Sequence, residues 1–159
     1  MIPTTRNNAL YATARYSAFR RASSAACPGC SSPLCAELRC SLFHADWQRR
    51  HGSGVGLRAI LKLHAASAGL VGSVRRSVSD ELRVQWLVDC TIRLLCVLAL
   101  DRFGDWASGD RVTAPVRETA AQTLAVLLRP MPAAVACAVA DSLLAMARRP
   151  AWQVRHGAM

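Results

Sequence analysis

Six residues of this chain occur twice. Trp47-Gln48-Arg49-Arg50-His51-Gly52 returns 105 residues later as Trp152-Gln153-Val154-Arg155-His156-Gly157, with five of six positions identical. The chain has only 4 Trp and 4 His, so chance is a poor source for a match that contains both. A looser copy, Ala114-Pro115-Val116-Arg117-Glu118-Thr119-Ala120, lies between them and follows the same helix-start plan. Arg117 and Arg155 are 38 residues apart, and Arg50 and Arg117 are 67 apart. The longer interval fits a repeat extended by an insertion at Ala66–Ser79. Periods of about 40 residues in paired helices mark HEAT and armadillo arrays. One helix pair cannot bury its apolar face alone, and stacking neighbours creates a continuous core. The expected fold is therefore all-α, a HEAT/armadillo-like α-solenoid of antiparallel helix pairs.

The apolar periodicity places the helices. Leu34–His44 is a short amphipathic segment. Trp47 to about Ala65 carries a stripe of Val55, Leu57, Ile60, Leu61 and Leu63, softened at its start by Gly52, Gly54 and Gly56. Ala66–Ser79, with two glycines and several serines, reads as a loop. Asp80 to about Leu100 is the strongest helix, and its end, IRLLCVLAL, is apolar nearly all round and so expected to be buried on most sides. Asp101–Gly109 is a turn region with Gly104 as a C-cap. Pro115 opens the next helix, whose face is Val116, Ala120, Leu124, Leu127 and Leu128. Pro130 and Pro132 end it, Ala133–Arg148 forms another, and Ala151 begins a last one. Two regions follow: a disordered or misassigned leader over 1–33, and a HEAT-repeat array over 34–159, truncated in its last repeat.

Composition agrees with a helical globule, since apolar residues make up 52% and charged residues 19% of 159, and Ala, Leu and Arg are good helix formers. The net charge of +10 opens a nucleic-acid or acidic-partner reading. Against it, the arginines are scattered as separate pairs, so biased residue usage accounts for the charge equally well. No apolar run approaches the roughly 20 residues of a membrane span. Residues 1–36 have four arginines and no acidic residue, a composition shared with mitochondrial transit peptides. The seven cysteines are odd in number, which argues for thiols in a reducing compartment. Cys90, Cys96 and Cys137 lie in apolar helical runs and read as small core residues.

The recurring residues are structural candidates: Trp47, Arg50, His51, Arg117, Trp152, Arg155 and His156. An arginine near a helix start can lay its stem on apolar surface and reach a carboxylate or carbonyl of the adjacent repeat. The tryptophan before it can staple the helix start, and a histidine that recurs with the repeat reads as a packing or capping group. No catalytic residue, cofactor site or metal site is assigned. Cys27, Cys30, Cys35, Cys40 and His44 hold zinc-ligand types, but their spacing is too compressed for a patterned finger. Ser53 in HGSGVG lacks the strand-to-helix turn of a nucleophile elbow. Asp101, Asp105 and Asp110 are too sparse for a calcium loop.

Several strings carry a family resemblance. FHADWQRRHGSGVGLRAIL (43–61), IRLLCVLALDRFG (92–104), APVRETAAQTL (114–124) and WQVRHG resemble, in that order, the TATA-binding-protein-associated factors that remove TATA-binding protein from DNA. The resemblance covers about Leu34 to Met159, and residues 1–33 do not share it. It implies a nuclear regulator of transcription, in which a HEAT array grips TATA-binding protein and a C-terminal helicase-like ATPase displaces it from promoter DNA. No G-x-x-x-x-G-K-[ST] occurs in this chain, so the resemblance lends it a binding role and not the ATPase. Promoter DNA is then an indirect partner and a membrane is none. The loops Ala66–Ser79 and Asp105–Thr113 are the expected partner-facing surfaces. The alternative is a generic basic helical adaptor for nucleic acid or an acidic protein.

Overall fold

The computed structural model describes residues 33–64, 70, 75–102 and 114–159. Six α-helices and no strand occur among them: α1 (Pro33–Ser41), α2 (Trp47–His64), α3 (Arg76–Leu100), α4 (Pro115–Leu128), α5 (Ala133–Ala147) and α6 (Trp152–Ala158). The described part is all-helical, consistent with an α-solenoid. None of these helices is long and apolar enough to cross a membrane.

Local chemistry explains where the helices start and stop. Pro115 occupies the first turn of α4, where its missing N–H costs nothing, and Glu118 places a carboxylate near the positive end of the helix dipole. Pro132 precedes α5, and its carbonyl accepts from the N–H groups of Val135 and Ala136 at 3.0 and 3.2 Å. Asp101 ends α3, donating its own N–H to Val97 O at 2.9 Å.

Helix α4 lies at the centre, packed on both α2 and α3, while α1 packs on α2 and α6 on α5 and α3. Leu57 and Leu61 of α2, Leu94 of α3 and Leu127 of α4 are fully buried in one cluster. Each such side chain contributes about 2 kcal/mol by leaving water.

Several sequence expectations need correction. Pro33 and Arg76–Ser79 are helical, so the first described helix opens at the last position read as leader, and α3 opens inside the stretch read as a serine-rich loop. Serine is a poor helix former mid-helix but is tolerated in a first turn. Val55 and Leu63 (78% exposed) stand outside the core, because the α2 stripe that meets α4 is narrower than the run of apolar letters. Ile92 and Leu100 are exposed in α3, so its end is not buried all round. Cys137 is exposed, Cys96 half-buried and Cys90 buried. Residues 1–32, most of Ala66–Ser79, and 103–113 (with Gly104 and the loop Asp105–Thr113) lie outside the described residues, as do Cys27 and Cys30.

Helices α2 and α4 approach closely at Gly54. A Cβ there would meet the Thr119 γ-methyl at 2.8 Å. Gly54→Ala gains about 1 kcal/mol of helix propensity, but the clash costs about 2 kcal/mol, since Thr119 is buried and its hydroxyl lies within hydrogen-bond reach of His51. Net destabilisation of about 1 kcal/mol is expected in urea melts, and adding Thr119→Ser should restore most of it by removing the methyl and keeping the hydroxyl.

The cysteines should differ in reactivity. Burial pushes the Cys96 thiol up, with nearby Arg93 acting in the opposite direction. The thiolate is the reactive form, so alkylation at mildly alkaline pH followed by mass spectrometry should label exposed Cys40 and Cys137 before Cys96, and Cys90 only on unfolding.

Candidate functional site

The recurring hexapeptide builds the same small device at two helix starts. Arg50, in the first turn of α2, turns back and donates from Nη1 to the carbonyls of His44 and Ala45 at 2.8 and 2.7 Å. Arg155 in α6 does the same to Arg149 and Pro150, at 3.0 and 2.6 Å. In both copies the acceptors stand six and five residues before the arginine, in the turn that enters the helix. A guanidinium suits the task because its fixed fork presents several donors at once. The aromatic partners repeat as well. Trp47 and His51 stack tilted at 6.3 Å, and Trp152 and His156 meet edge-on at 6.4 Å. Trp47 is the first residue of α2, so it pairs within the helix instead of stapling from the position before it.

The first copy also reaches across to its neighbours. Arg50 Nε donates to Asp101 Oδ2 at 2.5 Å, in a pair where the carboxylate side chain is only 4% exposed. Arg117, 2% exposed, donates from Nη1 to the Asp101 carbonyl at 3.1 Å. Arg102 donates to the same carbonyl and to Ala99 O. Three arginines thus gather at the negative end of the α3 dipole, where cations are stabilising, and one neutralises the carboxylate that would otherwise be unfavourable there. The structure therefore joins Arg50 and Arg117 through Asp101, and Arg155 lies apart from them.

His51 closes the α2–α4 contact. With its proton on Nδ1 it donates to Pro115 O at 3.2 Å, and Thr119 Oγ1 lies 2.9 Å from the same nitrogen. Below it, the buried Thr123 hydroxyl lies 2.7 Å from Thr119 O and 3.0 Å from Gly54 O, both of which accept from it.

A second cluster was invisible to sequence reasoning. Arg39 of α1 and Arg93 of α3 both bind Asp89, Arg93 at 2.6 Å. Both arginines are buried, and Arg39 also lies over the Trp86 ring. The i, i+4 spacing of Asp89 and Arg93 was the one available signal. Among the described residues no three His, Cys, Asp or Glu side chains gather as a metal site.

No protein-family model matches the chain, but curated proteins do. TATA-binding protein-associated factor 172 of Homo sapiens is 48% identical over 126 residues, covering 79% of this chain and 7% of that protein. The mot1 factor of Aspergillus fumigatus is 41% identical over 133 residues, with the same 79% and 7% coverage. This chain belongs to the TATA-binding protein-associated factors. The MOT1 factor of Saccharomyces cerevisiae matches at 46% over 88 residues, 55% of the chain and 5% of that protein. The family similarity thus concerns a short stretch of much longer relatives, and the arginine, histidine and aspartate contacts above are the geometry of that stretch.

Proposed function

We propose that this segment is a run of HEAT-type antiparallel helix pairs that serves as a scaffold contacting TATA-binding protein. The supporting observation is the 48% identity to a relative named for association with that protein. The geometry is compatible with a binding role. Arg50, Arg117, His51 and Asp101 are engaged with one another and with the helix backbone, which leaves partner contact to other residues of the chain. In this reading the chain carries out no chemistry. ATP-driven removal of TATA-binding protein from promoter DNA would be a property of the longer protein, and the nucleus is the compartment the reading requires.

The second reading, a basic adaptor for nucleic acid, draws on the net charge of +10 and the exposed pairs Arg75-Arg76 and Arg148-Arg149. One experiment separates the two: capture of purified TATA-binding protein by the full chain, with and without nuclease, at about 50 and about 200 mM salt. The scaffold reading expects capture under all four conditions. Capture lost at the higher salt or after nuclease would overturn it in favour of the adaptor, because phosphate contacts weaken by about 10³-fold or more over that range.

A further inference from the structure

We draw no further inference here: the strongest candidate, the surface stripe along α3 formed by exposed Ile92 and Leu100 with half-buried Cys96 between them, carries none, because nothing in the structure shows what covers it.

Discussion

Alanine at position 101 should lower the unfolding free energy by about 3 kcal/mol. The Asp101 carboxylate is buried and faces the Arg50 guanidinium. Removing one partner of a buried pair leaves the other charge desolvated, which typically costs about 3–5 kcal/mol. Arg50 keeps its two turn carbonyls, and this places the expected loss at the lower end. Asparagine retains an acceptor for Nε without the charge and should cost about half as much. The decisive comparison is a double-mutant cycle in urea. With Arg50 replaced by methionine, Asp101→Ala should cost under about 1 kcal/mol, since no orphaned guanidinium remains. Equal costs in both backgrounds would show that Asp101 acts only as the end of α3 and not through Arg50.

Trp86→Ala should cost about 4 kcal/mol, the larger of the two effects, because a fully buried indole leaves a cavity that its surroundings cannot close. Trp86→Phe should be far milder, under about 1.5 kcal/mol. The indole Nε1 is buried without a hydrogen-bond partner, so phenylalanine gives up apolar contact but also removes a donor whose desolvation is uncompensated. Denaturant unfolding followed by far-ultraviolet circular dichroism measures both. A phenylalanine variant as unstable as the alanine one would mean that the indole N–H is satisfied in solution.

Much of the helical layout was legible because its signals are local. Pro115 announces a helix start and Pro130 with Pro132 a helix end, and Leu57, Leu61, Leu124 and Leu127 follow the 3.6-residue period into the core. The contacts that join helices were legible only on one side. The repeat marks Arg50 and Arg117 as arginines that reach a carboxylate or carbonyl of a neighbouring element, but nothing marks Asp101, 51 residues from Arg50, as the residue they meet. Arg39 and Arg93 are buried, a fate that arginine rarely meets and that periodicity does not announce. Conversely, Leu63 and Cys137 look like core in the letters but fall on faces that no described helix covers. Apolar pattern predicts which side of a helix wants a neighbour, whereas long-range topology decides whether one is there.

The arginine device described for α2 and α6 also acts as a ruler. One side chain spans the turn ahead of its helix and meets carbonyls five and six positions back. Its reach is set by covalent bond lengths, so the number of residues between acceptor and donor has no slack. A single residue inserted at 45–46 or 150–151 would carry the carbonyls off the fork. The hexapeptide's spacing is therefore what a protein engineer must hold constant when grafting such turns, and segments not gripped in this way are where length can be varied.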